Sequence, residues 1–176
     1  FPCTPLFRAG PPLAEQPNLG ALTLPGVLEE IATRFGPREC LVRPRPDGSM
    51  ERWSYADLRE RASEVARALI AAGVTSHSRV GVLMSNRPEW LAAFFGVGLA
   101  GAVAVTLSTF STPVELEFLL QASGVSVVLF ERKVAKKDFA ELLKGLEPQI
   151  AHAEPGRLAS LKFPSLRRLA VVDDGP

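Results

Sequence analysis

FFGVGLAGAVAVTL, residues 94–107, is the stretch whose reading decides the fold. It holds Gly96, Gly98 and Gly101 at the G-x-G-x-x-G spacing of dinucleotide-binding loops. Such a loop works in one order: a strand, a glycine turn, then a helix whose free N–H groups and positive dipole end face the phosphates. Here the order reads reversed. The residues before Gly101 continue a helix begun at Glu89, and residues 102–107 read as a buried strand. Gly101 therefore stands at a helix C-terminus, where exposed carbonyls and partial negative charge repel a pyrophosphate. Gly96 and Gly98 are expected to let the helix approach the sheet closely, and Gly101 to supply a turn with φ > 0. Each interior glycine costs a helix about 1 kcal/mol relative to alanine, so packing is the expected reason for both.

Working outward, residues 80–84 form a short apolar run, the mark of a strand covered on both faces. Ser85, Asn86, Arg87 and Pro88 turn it into the glycine-bearing helix. On the other side, Thr112-Pro113-Val114-Glu115 is a capping box with Pro at N1, predicting a helix to Ser123. Residues 125–130 predict a third buried strand. Ala135, Phe139, Leu142 and Leu146 mark a further helix, and residues 169–172 a last strand. Glu131, Arg132, Lys133, Lys136 and Lys137 read as the solvated face of that helix, with phosphate capture the alternative. Residues 147–165, interrupted by Pro148, Pro155 and Pro164, read as a surface connection.

Upstream, Pro25 opens a helix with the stripe Leu24, Val27, Leu28, Ile31 and Phe35, stopped at Gly36. Pro46-Asp47-Gly48 has turn chemistry between residues 40–45 and 50–53, predicting a β-hairpin. Ser54 with Asp57 at N3 caps a helix whose face is Leu58, Ala62, Val65 and Leu69, ending at Gly73. Residues 1–23 hold five prolines and read as an extended N-terminal arm. Residues 24–176 then form one α/β unit. Strands alternate with helices from residue 80 onward, so the fold class is α/β, a mostly parallel sheet flanked by helices with an N-terminal β-hairpin.

The chain has 176 residues, with 20 basic and 19 acidic side chains. That balance excludes the clustered basic surplus of a nucleic-acid binder. The apolar stretch 90–107 contains three glycines and runs into Ser108-Thr109, so it reads as helix plus strand and not as a transmembrane segment. Residues 1–10 lack the apolar core of a signal peptide. Cys3 and Cys40 have no metal-ligand spacing, and two thiols suit a reducing compartment; a cytoplasmic location is expected.

In open α/β sheets ligands bind beyond the carboxyl ends of the strands. Two loops qualify. Asn86 and Arg87, after the first buried strand, are candidate anion contacts. Ser108, Thr109 and Phe110, after the second, are a candidate loop for a carboxylate or phosphate. Helix capping is the alternative reading of both. His77 and His152 have no partner at catalytic or metal spacing, Ser54 lacks a G-x-S-x-G context, and no P-loop is present. No catalytic residue and no metal ligand is assigned.

RWSYADLRERASEVARALIAAGV (residues 52–74) and SRVGVLMSNRPEWLAAFFGVGLAGAVAVTLSTFSTPVELEFLLQASGVSVVLFE (residues 78–131) resemble the first two core motifs of AMP-forming acyl-CoA synthetases and adenylation enzymes. The resemblance covers residues 20–146. It departs at Thr106 and Ser108, where these enzymes usually carry Pro and Asn or Asp. It departs again near Phe110, where some relatives place an Arg toward the coenzyme A phosphate; an aromatic ring suits an apolar acyl wall instead, and the resemblance implies that Ser108, Thr109 and Phe110 form an acyl-pocket or CoA-side loop. The family's ATP-gripping loop, ribose-binding Asp and catalytic Lys have no counterpart in these residues.

The resemblance therefore implies an N-terminal subdomain, truncated before the ATP-binding loop. No cofactor is expected in it. ATP, Mg²⁺ and coenzyme A are implied for the full-length enzyme, together with a fatty or medium-chain carboxylic acid. The remainder of its own polypeptide is the implied partner. The isolated chain is expected to lack activity and to expose an apolar surface through which it self-associates. A stand-alone, non-catalytic α/β binding module is the alternative.

Overall fold

A computed structural model describes residues 20, 22–45 and 47–172. Most of the N-terminal arm, Cys3 and Pro46 lie outside the described residues. The order is α1 (Leu24–Phe35), β1 (Glu39–Pro44), β2 (Met50–Ser54), α2 (Tyr55–Ala71), β3 (Arg79–Leu83), α3 (Pro88–Leu99), β4 (Val103–Thr106), α4 (Pro113–Ser123), β5 (Val127–Glu131), β6 (Lys133–Val134), β7 (Lys137–Asp138), α5 (Phe139–Leu146) and β8 (Arg168–Val172). β4, β3, β5 and β8 lie side by side in that order, all parallel.

Alternation along the strands sorts the helices into layers. On β3 and β5, Val80 and Val127 pack with Leu69 of α2 and Val97 of α3. Leu83, Val128 and Phe130 point the other way, into Leu116 and Leu120 of α4 and Phe139 and Leu143 of α5. The β1–β2 hairpin and α1 form an outer layer, closed by Leu28, Leu58 and Ala62 against Trp53, Leu91 and Phe95. β3 is thus the strand whose outgoing loop leaves for the α2/α3 face, while its neighbours β4 and β5 send theirs to the α4/α5 face.

The helix boundaries have local causes. Ser54 and Asp57 exchange bonds at the start of α2, as do Thr112 and Glu115 at the start of α4. At the end of α3 the amides of Gly101 and Ala102 reach back to the carbonyls of Gly98 and Val97. That is a Schellman motif, and its C′ residue needs the left-handed region. Gly101 has φ +74° there. The glycine segment thus leads from a helix into a strand.

Several expectations are corrected. Gly96 does give α3 a close approach, but to α2 and not to the sheet: a Cβ there would lie 2.7 Å from Val65 Cβ and 2.8 Å from the Ala62 carbonyl oxygen. Gly98 likewise faces Leu24 of α1. β4 is an edge strand, so Val103 is half exposed and the run is less buried than its composition implies. Gly36 closes α1 in the right-handed region, φ −30°, and is no left-handed stop. Ala135 lies in the β6–β7 turn and outside α5, and Glu131, Arg132, Lys133 and Lys137 belong to strands or their junctions instead of a helix face. Segment 147–165 runs through a short 3₁₀ turn and contributes Leu158 and Phe163 to the core, so it is more than a surface connection.

Candidate crevice at the carboxyl ends of the strands

The loops after β3 and β4 flank the end of the sheet, and they are held in different ways. After β3, the backbone amide and hydroxyl of Ser85 donate to Glu131 Oε2 at 2.8 and 2.6 Å. Arg87 Nη1 lies 3.2 Å from Glu131 Oε1, and Arg87 Nε donates to Glu89 Oε2 at 2.7 Å. Glu131 ends β5, so one carboxylate ties the neighbouring strand to the whole β3–α3 loop. Arg87 is only 5% exposed. Its guanidinium pairs with both carboxylates and forms a clasp between β5 and α3. Asn86 is exposed and lines a cleft with Leu41, Pro44, Trp90 and Leu91.

The clasp continues outward. Arg43 Nη1 lies 4.0 Å from Glu89 Oε2 and 3.9 Å from Glu51 Oε2, and Arg45 Nη2 lies 3.6 Å from Glu51 Oε1. Alternating charges thus run from the hairpin to the sheet. Burial pushes the Glu89 carboxyl up. The hydrogen bond from Arg87, a backbone amide and the charges of Arg87 and Arg43 outweigh that push, so the group stays below its ordinary value.

After β4, Ser108 Oγ accepts from the Phe110 amide at 3.1 Å, and the Ser111 amide donates to the Ser108 carbonyl at 3.3 Å. Ser111 is buried and Phe110 is 91% exposed. Lys137 Nζ donates to the carbonyls of Thr109 and Ser111, at 3.0 and 2.8 Å. Phe110 lies in one shallow depression with Ser108, Val114, Phe118 and Leu119. Val114 and Phe118 are exposed too, one turn apart on α4. The loop therefore presents an apolar stripe, with Ser108 and Thr109 shaping its backbone.

Glu131 and Lys137 are the organising residues that the sequence reading missed. A signal existed for the first: Glu131 directly follows a predicted parallel strand, at the end where the β3 loop must pass. A cleft of about 580 Å³ lies on the α2/α3 side of the sheet, lined by Val127, Leu129, Val172, Val65 and Ala93 together with Glu89 and Glu51 of the clasp.

Residues 28–168 match the family model described as AMP-binding enzyme. The chain belongs to that family. Among its relatives, the acyl-CoA ligase sidI of Beauveria bassiana is 36% identical over 131 residues, which are 74% of this chain and 22% of that protein. The mitochondrial medium-chain acyl-CoA ligase ACSF2 of Homo sapiens is 28% identical over 156 residues, 89% of this chain and 25% of its own. In fold the chain is like the anthranilate CoA ligase AuaEII solved in complex with anthranoyl-AMP. The TM-score is 0.69 at 23% identity, over 90% of this chain and 26% of that one. The chain spans about a quarter of the length of the curated relatives it matches, their N-terminal part.

No three His, Cys, Asp or Glu side chains among the described residues gather as a metal site. The carboxylates of Glu131 and Glu89 are both paired with Arg87. The glycines at phosphate-loop spacing lie in and behind α3. No helix among the described residues is long and apolar enough to cross a membrane.

Proposed function

We propose that the chain is the N-terminal subdomain of an AMP-forming acid–CoA ligase, and that the whole enzyme activates a fatty or medium-chain acid. In that enzyme the acid would be joined to ATP with release of pyrophosphate, and the acyl group passed to the thiol of coenzyme A. The observation that carries this reading is the family match over residues 28–168, which contains both candidate loops and whose relatives are named acyl-CoA ligases. The exposed stripe of Phe110, Val114 and Phe118 supports an apolar acid over a charged one. This subdomain supplies a wall, with Ser108, Thr109 and Phe110 at its rim, while groups that hold ATP, Mg²⁺ and coenzyme A come from the remainder of the polypeptide. The cytoplasm is the compartment its thiols suit.

Two experiments test the reading. The isolated chain, given Mg-ATP, labelled pyrophosphate and a series of acids, is expected to exchange no label above background; clear exchange would overturn the division of labour. A chimaera of the Bacillus subtilis protein named putative acyl-CoA synthetase YngI, 29% identical over 150 residues, would carry this chain in place of its own matching segment. It is expected to form AMP only with acid and coenzyme A present. A folded but inactive chimaera, with an isolated chain that stays monomeric, favours the non-catalytic binding module. Self-association of the isolated chain, removed by Phe118→Ser, fits a stripe that the rest of the polypeptide covers.

A further inference from the structure

β6 and β7 form a hairpin of two residues per strand, joined only by Ala135 and Lys136. Lys133 pairs with Asp138 and Val134 with Lys137. So short a connection needs positive φ, and Ala135 takes it at +52°, alone among the described non-glycine residues. A side chain with a Cβ disfavours that region, and such strain persists where the surroundings impose it. The hairpin is anchored on the sheet side by the Phe139 amide, which donates to the Arg132 carbonyl at 2.8 Å.

What the turn achieves is the placement of Lys137. Its half-buried ammonium reaches across 28 and 26 residues of sequence to the carbonyls of Thr109 and Ser111. Those residues bracket Phe110. One cation therefore pins the backbone on both sides of the most exposed aromatic ring of the loop. An ammonium can serve two acceptors at once because it has three donors, and bonds from a charged donor are roughly twice as strong as neutral ones.

We propose that Lys137 is a positioning residue: delivered by the strained β6–β7 hairpin, it holds the β4–α4 loop with Phe110 turned outward and so sets the shape of the apolar wall. That the wall faces an acyl group rests on the ligase reading; the latch itself does not.

The test uses the 176-residue chain with Phe110 replaced by 4-trifluoromethylphenylalanine, at high dilution, read by fluorine NMR. With Lys137 present one sharp resonance is expected. Lys137→Met should broaden or split it and speed amide exchange over residues 108–112 by about tenfold, with β3 and β5 unchanged, because the opening is local. Lys137→Arg, which keeps charge and donors, should restore the wild-type spectrum. Should Lys137→Met fail to fold, Lys137→Gln is read instead and should broaden the line. An unchanged resonance in the neutral variant, no rescue by Arg, or exchange raised equally throughout the sheet would overturn the latch. An inactive chimaera with the latch result intact removes only the acyl role, and an active chimaera with a failed latch removes only Lys137.

Discussion

The two loops at the end of the sheet read alike in sequence and behave differently in the fold. Both follow an apolar strand, both are short and polar, and both enter a helix with Pro at N1. The loop after β3 closes on itself around Arg87, which is nearly inaccessible between Glu131 and Glu89. The loop after β4 turns Phe110 out to solvent and is tied from below by Lys137. A polar loop at a strand end is therefore not a site by composition. What decides is whether a neighbouring strand brings a countercharge to the loop's side chains or only to its backbone. In the first case the charge is used internally; in the second the side chains stay available.

The sharpest way to break this contrast is Arg87→Met. It leaves Glu131 without its cation and Glu89 with only the more distant Arg43, and losing one partner of a buried pair typically costs about 3–5 kcal/mol. Urea unfolding should show that drop, and a loss below about 1 kcal/mol would mean the clasp is not what holds the first loop. Next comes Gly96→Ala, which tests the seat of the helix that carries Arg87. Its methyl would meet Val65 and the Ala62 carbonyl, both under 3 Å. Overpacking should outweigh the gain in helix propensity and leave a net loss of about 1–2 kcal/mol; a stabilised variant would show that α2 and α3 separate freely.

Acid titration gives a smaller effect. Glu89 is held low as described. Asp57 and Glu115 are held low first by the backbone amide and then by the hydroxyl of their capping partners, Ser54 and Thr112. A carboxyl that is lower when folded stabilises fully above its unfolded value and loses that contribution as pH falls through the folded one. Tm should therefore decline from about pH 5 downward, with Glu89→Gln flattening part of the slope. A Tm that rises on acidification would contradict these directions. The smallest effect on stability is expected from Phe110→Ser, within about 0.5 kcal/mol as for other exposed sites. Sedimentation should nevertheless show less self-association, and an equal tendency in both chains would remove Phe110 from the sticky surface.

Local chemistry was legible in the sequence. The boxes Ser54–Asp57 and Thr112–Glu115 and the turn at Gly101 each involve residues within a few positions, and each formed as the residues dictate. That both loops lie at the carboxyl end of a parallel sheet followed from strand–helix alternation. What could not be read were partners set by topology. Ser85 meets Glu131 across 46 residues and Lys137 meets Thr109 across 28, contacts that exist only once β5 lies beside β3 and the hairpin folds under the loop. The same charge run, ERKVAKK, looked like a helix face because its spacing fits one; the left-handed Ala135 that breaks it carries no glycine to announce it. Gly96 was correctly assigned to close packing but to the wrong neighbour, since periodicity gives a face and not what lies opposite.

That contact at Gly96 also bears on motion. With no side chain at Gly96, α2 and α3 touch main chain to side chain and are expected to move together. The segment from Ser85 to Arg87 is fastened to α3 at one end and to β5 at the other. On the opposite lip the loop after β4 is tied to the rest of the fold through Lys137, so local opening is expected there first.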